Sequence, residues 1–330
     1  MPDITILTET DLRGIISLDN DAVDCIESAF RLLATTDVVM PPILSFNIPD
    51  HNGEIDVKSA YVPGIDGFAI KMSSGFFDNP GMGLPSLSGL MVLFSAQTGL
   101  VQALLLDNGY LTDIRTAAAG AVAAKHLSRP DSKVAGIIGT GLQARLQLRA
   151  LTLVRDIGQA VIWGRDPDQA AACAQDCARD LGIQVTTATD IARATANADI
   201  IVTTTPATAG LITASMLKPG QHVTAMGSDT DYKCELAPDV IPAATLFVCD
   251  RRDQSARLGE LRTALAAGTV GDAAAFPELG EIIAGQATGR TAPSDITICD
   301  LTGTGVQDTA IATLARRRAD ATGAGTSIHT

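Results

Sequence analysis

A glycine pattern near the middle of the chain has the residue types and the spacing of a dinucleotide-binding turn. The segment VAGIIGTGLQA contains the pattern G-x-G-x-x-A at Gly139, Gly141 and Ala144. A short apolar strand precedes it, a helix is predicted to follow it, and another strand is expected at Ala160, so the segment fits one βαβ unit. The alternative is a glycine-rich turn in an α/β fold that binds no ligand.

Each position of this pattern has a physical purpose in a dinucleotide site. Gly139 would permit the tight turn, Gly141 would let a pyrophosphate approach the backbone, and Ala144 would let helix and strand pack closely. The helix N-terminus would present free N–H groups and a positive dipole end to the anion.

The end of the next predicted strand bears on which dinucleotide is bound. In NAD-binding domains an acidic side chain at this point holds the ribose. The sequence VIWGRDP instead has Gly164 and then Arg165, which suits the 2′-phosphate of NADP. Asp166 could take the ribose role, although its favoured role is to cap a helix that begins at Pro167. The cofactor is therefore expected to be NAD or NADP, with NADP slightly favoured.

Three charged residues could act on a substrate. Lys71 lies inside the apolar run FAIKM, and a buried lysine needs a partner and shifts its pKa readily; alternatively it is a lysine on an edge strand. Arg115 has a planar fork that suits a carboxylate, or it pairs with Asp113. Asp229 follows a predicted strand at the sheet edge where α/β ligands bind, a position in which a carboxylate could move a proton. Its alternative role is to form a turn before Thr230.

Other kinds of site have little support in the sequence. The four histidines show neither an HExxH pattern nor paired metal-ligand spacing, so no metal is expected. Neither a GxSxG nucleophile elbow nor a GxxxxGK[ST] phosphate loop occurs. The six cysteines form no CxxC pair and are expected to be buried thiols in a reducing compartment.

The elements that would position these residues change in character near residue 115. Upstream, short strand-like runs alternate with Pro and Gly, and SAQTG signals a hairpin. The predicted strands are 4–7, 43–48, 55–62, 68–72, 90–94 and 100–106. Residues 1–115 are therefore expected to form an α+β domain with a mostly antiparallel sheet or an open barrel.

Downstream, a helix capped by Thr112 begins an alternation of helices and strands, which indicates a doubly wound parallel Rossmann sheet. The predicted strands are 134–138, 160–163, 185–187, 200–204, 223–226, 246–249 and 296–299. We expect a dinucleotide-binding domain over residues 116–312, and completion of the first domain by residues 313–330. The tail from about Ala319 is expected to be loose.

Composition excludes several classes of protein. Of 330 residues, 46% are hydrophobic, which is enough for large cores. The net charge of −13 argues against nucleic acid and against an anionic membrane surface as partners. The N-terminus does not look like a signal peptide, and no apolar run reaches the roughly 18 residues of a membrane span. A cytoplasmic location is therefore expected.

Several segments together resemble the ornithine cyclodeaminase/mu-crystallin family. They are GFAIKMSSGFFDNPGMGLPSLSGLMVL, LLLDNGYLTDIRTAAAGAVAAKHL, VAGIIGTGLQA, VTAMGSDTDYKCEL and DLTGTGVQD. Within the family the chain looks most like the cyclodeaminase-like proteins of ectoine utilisation. The resemblance implies an N-terminal substrate-binding and dimerisation domain, a central Rossmann domain, a homodimer, and hydride transfer at a carbon that bears nitrogen.

The resemblance also implies roles for individual residues. Asp229 and Lys71 would be catalytic, with Asp229 as acid/base, and the substrate would be bound by Arg115, Lys58 and Lys71. The coenzyme would be contacted by Thr116, Gly139, Gly141, Leu142, Gln143, Gly164, Arg165, Thr205, Pro206, Met226, Gly227, Ser228, Lys233, Thr302 and Gly303.

The sequence departs from the cyclodeaminase pattern in two places. Known cyclodeaminases have a further substrate arginine upstream of the active lysine, but no arginine occurs between Arg31 and Arg115. Either Lys58 substitutes for it, or the substrate carboxylate is held differently, or the substrate is not a free ornithine-like amino acid. A glutamate expected near the second amine of ornithine is also not in place, because Glu54 is out of register. Both departures weaken ornithine as the substrate.

Three functions remain open at this stage. The first is an NAD(P)H-dependent imine reductase that acts on a small amino-acid-like substrate, including one from ectoine or hydroxyectoine breakdown. The second is a cyclodeaminase, which eliminates ammonia and recycles its NAD. The third is a nonenzymatic NADPH-binding protein of the mu-crystallin type, and the retention of Asp229, Lys71 and Arg115 argues against it.

Overall fold

A computed structural model describes residues 3–329 of the chain. These residues form sixteen strands and eleven α-helices. The strands are β1 (Asp3–Thr8), β2 (Leu44–Ile48), β3 (Gly53–Ala60), β4 (Gly67–Phe76), β5 (Leu87–Ser95), β6 (Val101–Leu106), β7 (Val134–Ile138), β8 (Gln159–Trp163), β9 (Gln184–Thr187), β10 (Ile200–Thr203), β11 (Thr208–Ile212), β12 (His222–Ala225), β13 (Cys234–Leu236), β14 (Leu246–Cys249), β15 (Thr297–Asp300) and β16 (Thr326–His329). The helices are α1 (Glu9–Ile15), α2 (Asn20–Thr35), α3 (Tyr110–Leu127), α4 (Leu142–Val154), α5 (Pro167–Leu181), α6 (Ile191–Thr195), α7 (Val240–Ala243), α8 (Arg252–Leu258), α9 (Glu260–Ala266), α10 (Leu279–Ile283) and α11 (Gly305–Thr322).

The chain divides into two compact units. The first contains the residues up to Arg115 and those from Thr304 onward, and the second runs from Thr116 to Gly303. The chain thus returns to the first unit at residue 304 and not, as expected from the sequence, at residue 313. The reason is that α11 packs along its length against β3, β4 and α2, so the whole helix belongs with them.

The first unit is built on a seven-stranded sheet in the order β16-β1-β6-β5-β4-β3-β2. All neighbouring strands are antiparallel except β1 and β6. Side chains alternate between its two faces, as in any pleated sheet. The face that packs on α11 carries the buried residues Ala69, Lys71, Met91, Leu93, Ala103 and Leu105.

Two predictions about this unit were wrong in detail. As far as His329, the tail is not loose, because β16 pairs antiparallel with β1 from Asp3↔His329 to Ile6↔Thr326 and completes the edge of the sheet. Thr330 lies outside the described residues. Helix α3 begins at Tyr110, before Thr112. The Asp107 carboxylate accepts a hydrogen bond from the Leu111 amide at 2.8 Å and so stabilises this earlier start.

The second unit contains a parallel sheet in the order β14-β15-β12-β10-β7-β8-β9. Every pair of neighbouring strands in it is parallel, and helices connect most of them. The strand order reverses between β7 and β10, which is the topological switch point where such sheets bind ligands. The predicted Rossmann-type α/β fold with a second, mostly antiparallel sheet is therefore confirmed. Within residues 3–329, no helix combines the length and apolar character needed to span a membrane.

Candidate active site

The glycine turn predicted from the sequence lies at this switch point. Gly139 follows β7 with φ of +133°, and a Cβ there would lie 2.4 Å from Thr204 Oγ1, so no other residue fits. Gly141 caps the N-terminus of α4 in an extended conformation, and a Cβ there would meet no atom within 4 Å. The open space above Gly141 and the uncapped amides of α4 form a cradle for an anion.

The turn opens into a groove of about 900 Å³. Its walls come from the segments that follow β7, β8 and β10, which are the carboxyl ends of three adjacent strands. Six of the predicted coenzyme residues line it: Gly139, Gly141, Gly164, Arg165, Thr205 and Pro206.

Gly164, at the end of β8, packs closely on the glycine turn. A Cβ at Gly164 would lie 2.3 Å from Thr140 Cγ2, so a larger residue there would require the Thr140 side chain to move. Asp166 caps α5 and accepts hydrogen bonds from the amides of Asp168 and Gln169 at 2.9 and 3.2 Å. Arg165 is exposed at the groove.

A buried glutamine, which sequence reasoning missed, connects three other predicted coenzyme residues. The Gln147 amide nitrogen donates to the Thr116 carbonyl at 3.0 Å, to Gln143 Oε1 at 3.3 Å, and to Met226 Sδ at 2.6 Å. Gln147 is fully buried on α4. It therefore fixes the start of the second unit to the first turn of α4 and to the end of β12.

The loop after β12 carries the predicted catalytic aspartate. Asp229 Oδ1 accepts from Lys233 Nζ at 2.7 Å, and Ser228 Oγ donates to the Lys233 carbonyl at 2.8 Å. The structure thus brings together three of the predicted residues in one closed turn. Asp229 remains about half-exposed, so its carboxylate is accessible.

Thr302 and Gly303, which follow β15, are held by a buried carboxylate. Asp250 accepts from Thr302 Oγ1 and from the Gly303 amide, both at 2.8 Å. Burial raises the pKa of Asp250 to about 6, while these hydrogen bonds oppose the shift.

In the first unit, the predicted substrate residues surround a carboxylate that sequence reasoning missed. Lys71 Nζ lies 3.2 Å from Asp308 Oδ1 and 3.1 Å from Oδ2. Arg115 Nε lies 3.0 Å from Asp308 Oδ1, and its Nη1 donates to Gln307 Oε1 at 3.0 Å. Asp308 is fully buried, and Lys71 and Arg115 are 2% and 5% exposed, so these charges interact with little solvent screening.

Helix α11 and the β3–β4 pair place this cluster. Thr309 Oγ1 accepts from the Ala69 amide at 3.0 Å and donates to the Ala60 carbonyl at 2.8 Å, which fixes α11 to both strands. On β3 and β4, Ala60 is paired with Ala69, and the next paired residues on the same face are Lys58 and Lys71. Asp308, the neighbour of Thr309, lies over this second pair. Because β4 has partners on both sides, the alternative that Lys71 is an edge-strand lysine is wrong.

Burial and charge set the protonation of the cluster. Burial lowers the pKa of Lys71 to about 7; the Asp308 carboxylate opposes this shift, and the nearby Arg115 and Lys58 add to it. Burial alone would raise the pKa of Asp308, but the three surrounding cations lower it below its ordinary value. Lys71 can therefore gain or lose a proton near neutral pH while Asp308 stays ionised.

Gln307 and Asp308 carried a signal that could have been used. They end the segment DLTGTGVQD, in which the family resemblance implies roles only for Thr302 and Gly303. Both are polar residues near the start of a helix that continues with apolar residues. Polar side chains in such a position can be buried only if they have partners. Gln307 Nε2 is buried without a hydrogen-bond partner among residues 3–329.

The fold and these sites define a two-unit protein: one unit is a Rossmann-type domain with a groove at its switch point, and the other contains a buried lysine–arginine–aspartate cluster. The model of the ornithine cyclodeaminase/mu-crystallin family matches residues 3–323, and the chain belongs to this family.

Individual relatives are similar over nearly the whole chain. An uncharacterized cyclodeaminase of Sinorhizobium fredii is 61% identical over 98% of each chain. The structure of Thermococcus litoralis Δ1-pyrroline-2-carboxylate reductase with NADH and L-proline is 30% identical, with a TM-score of 0.93 over 98% of this chain and 100% of that one. An archaeal alanine dehydrogenase dimer with bound NAD is 33% identical, with a TM-score of 0.92 over 99% of each chain. These relatives confirm the prediction of an enzyme.

Proposed function

We propose that this chain is an NAD(P)H-dependent imine reductase that acts on the C–N bond of a small amino-acid-like substrate. The observation that carries the proposal is the buried cluster of Lys71, Arg115 and Asp308. It offers a fork for a carboxylate and a lysine whose pKa is about 7, and both suit an α-imino acid.

Each group has a role in this reaction. Arg115, with Lys58, binds the substrate carboxylate, and Lys71 supplies a proton to the reacting nitrogen. Asp229 is the second acid/base group. The glycine groove would hold the coenzyme, and the N-terminal amides of α4 would bind its pyrophosphate. When bound, the coenzyme would supply the hydride, and the protein contributes positioning and electrostatics.

The relatives support the coarse assignment and leave the substrate open. The reductase structure contains NADH and L-proline, and the dehydrogenase structure contains NAD. Reduction of a cyclic imine and reductive amination share one step, hydride delivery to a C=N carbon next to a carboxylate. We take imines of this class, including those from ectoine or hydroxyectoine breakdown, as the substrates. The coenzyme is NAD or NADP, with a slight preference for NADP because Gly164 carries no carboxylate and Arg165 lies at the groove.

A second candidate is a cyclodeaminase. The 61% identical relative bears that name, which favours it. Against it, Lys58 occupies the upstream region where cyclodeaminases have an arginine. A cyclodeaminase would release ammonia from a diamino acid with no net change in coenzyme.

We further propose that the enzyme is a homodimer through the face of the first sheet that lies opposite α11. Leu44, Phe46 and Leu106 on this face are 61%, 52% and 41% exposed, and Met72 and Leu90 lie between them in register. A contiguous apolar face of this kind marks an interaction surface. The archaeal dehydrogenase is a dimer. Light scattering on the purified protein tests this proposal, and a monomer at micromolar concentration would contradict it.

A cytoplasmic location also belongs to the proposal, since all six cysteines are free thiols.

The deciding experiment follows nicotinamide absorbance with NADH and NADPH in parallel. The panel contains Δ1-pyrroline-2-carboxylate and acyclic imines formed from 2-oxo acids and ammonia, and ammonia release is assayed from ornithine and diaminobutyrate. Stoichiometric coenzyme oxidation supports the reductase and identifies the coenzyme. Ammonia release without net coenzyme change would establish the cyclodeaminase instead, and tight coenzyme binding with no turnover would favour a binding protein.

A further inference from the structure

A buried glutamate in the second unit joins two loops that carry predicted coenzyme residues. Glu235 lies on the short strand β13 and is fully buried. Its Oε1 accepts from the Thr205 amide at 2.5 Å and from Thr205 Oγ1 at 2.7 Å. Its Oε2 accepts from Thr203 Oγ1 at 2.6 Å and from the Gly227 amide at 2.7 Å. One carboxylate thus holds the segment after β10 and the segment after β12.

The two segments approach each other so closely that a side chain at residue 227 would not fit. A Cβ on Gly227 would lie 2.2 Å from the Thr205 carbonyl oxygen and 2.6 Å from Glu235 Cδ. Gly227 therefore makes room for the carboxylate. The Glu235 amide is itself held by Glu260 Oε1 at 2.8 Å, so the glutamate is anchored from behind.

The arrangement requires that both terminal atoms of the residue 235 side chain accept hydrogen bonds. Two of the four donors are backbone amides, one on each segment, and an amide N–H cannot reverse its role as a hydroxyl can. All four hydrogen bonds favour the ionised carboxylate, although burial raises the pKa of Glu235. A glutamine would therefore leave one of the two amides without an acceptor and facing another N–H.

We propose that Glu235 is a positioning residue of the coenzyme site, which holds Thr205 and Gly227 at a fixed separation for the nicotinamide end of the bound dinucleotide. The proposal rests on the proposed function, since it assumes that the groove binds NADH or NADPH. It assigns different tasks to two parts of the groove. The turn at Gly139 and the start of α4 bind the pyrophosphate, and Glu235 acts only on the part beyond it.

The test compares Glu235→Gln with wild type for NADH, NADPH and ADP-ribose, which lacks the nicotinamide ring. We expect the Kd of ADP-ribose to stay within about twofold, while that of the preferred reduced coenzyme rises about tenfold, as one orphaned buried amide implies. With the imine substrate, kcat should fall further, by about a hundredfold, because a displaced ring is misaligned for hydride transfer.

Two further variants keep the test decisive. Thr203→Val removes one of the four donors in a buried strand position and should produce a weaker effect of the same kind, with an unfolding midpoint near that of wild type. Asp295→Asn is the matched control. Asp295 is also a buried carboxylate, and it accepts hydrogen bonds from the backbone amides of Thr291 and Ala292, both at 2.8 Å. It precedes β15, however, and so lies at the amino ends of the strands, whereas the groove is at their carboxyl ends. It should lower stability without changing the binding of either ligand.

The results separate this proposal from the proposed function. Equal weakening of ADP-ribose and reduced coenzyme in Glu235→Gln and Thr203→Val, or no weakening of either, would overturn the role of Glu235. A wild-type protein that binds no reduced coenzyme would instead overturn the proposed function, and the role of Glu235 with it.

Discussion

The Asp308 carboxylate contacts the Lys71 ammonium through both of its oxygens, at 3.2 and 3.1 Å. Asp308 also pairs with Arg115, so one anion lies between two cations in a buried site. A buried ion pair is costly to break because the remaining charge is left without a partner. A substrate carboxylate that binds here meets cations that are already positioned, and it adds a second anion to the cluster.

We predict that Asp308→Asn shifts the pH dependence of imine reduction. The pKa of Lys71 is about 7, and Asp308 raises it against burial and against the charges of Arg115 and Lys58. Loss of this anion lowers the Lys71 pKa further, although Asp107 also lies near enough to interact with Lys71. Reduction uses protonated Lys71, so kcat/KM should fall as Lys71 loses its proton, and in the variant this fall should occur at a lower pH than in wild type. At pH 7, kcat/KM of the variant should be about 10- to 100-fold smaller than that of wild type.

The pH profile of kcat/KM checks this prediction. Asp320→Asn, at an exposed site on the same helix, is the matched control and should keep the wild-type profile. An unshifted profile in Asp308→Asn would mean that Lys71 is not the titrating group.

We predict that Lys71→Arg and Lys71→Gln both lose turnover, by about 10²- to 10⁴-fold, but differ in stability. Arginine keeps a positive charge beside Asp308 yet does not release its proton, whereas glutamine leaves that carboxylate with one cation fewer. Thermal unfolding should therefore show a lower midpoint for Lys71→Gln than for Lys71→Arg. Coenzyme affinity should stay within about twofold in both. Wild-type turnover in Lys71→Arg would exclude Lys71 as the proton donor.

We predict that Asp229→Asn abolishes turnover and leaves coenzyme binding nearly intact. The carboxylate is accessible and paired with Lys233 at 2.7 Å, and Asp229 does not line the groove. The substitution therefore removes an acid/base group and leaves the lining of the groove unchanged. Single-turnover kinetics and coenzyme titration measure the two effects separately. Asp231→Asn, an exposed neighbour in the same loop, is the control. Weakened coenzyme binding with normal turnover per bound coenzyme would contradict the catalytic role.

We predict that Arg165→Ala weakens NADPH binding more than NADH binding, by at least about fivefold. Arg165 is exposed at the groove, where a guanidinium can pair with a 2′-phosphate, and Asp166 is occupied as the cap of α5. Kd values for both coenzymes at two salt concentrations provide the measurement. Equal weakening of the two would remove the argument for the 2′-phosphate.

The sequence by itself determined the features that depend on neighbours along the chain. The turn at Gly139 and Gly141, the cap at Asp166 and the alternation of strands and helices after residue 112 are local patterns, because a βαβ unit is set by residues within one short segment. The mostly antiparallel sheet of the first unit was predictable for the same reason, since Pro, Gly and hairpin signals separate its strands.

Only the tertiary structure decided which distant residues share a site. Lys71 and Asp308 are separated by 237 positions, and no local period relates a residue on β4 to one on α11. The tail likewise becomes a strand by pairing with β1, a partner more than 300 residues away along the chain. Glu235 and Gln147 belong to the same class, as each is a polar residue whose burial is tolerated only by donors or acceptors that the fold brings to it from other segments.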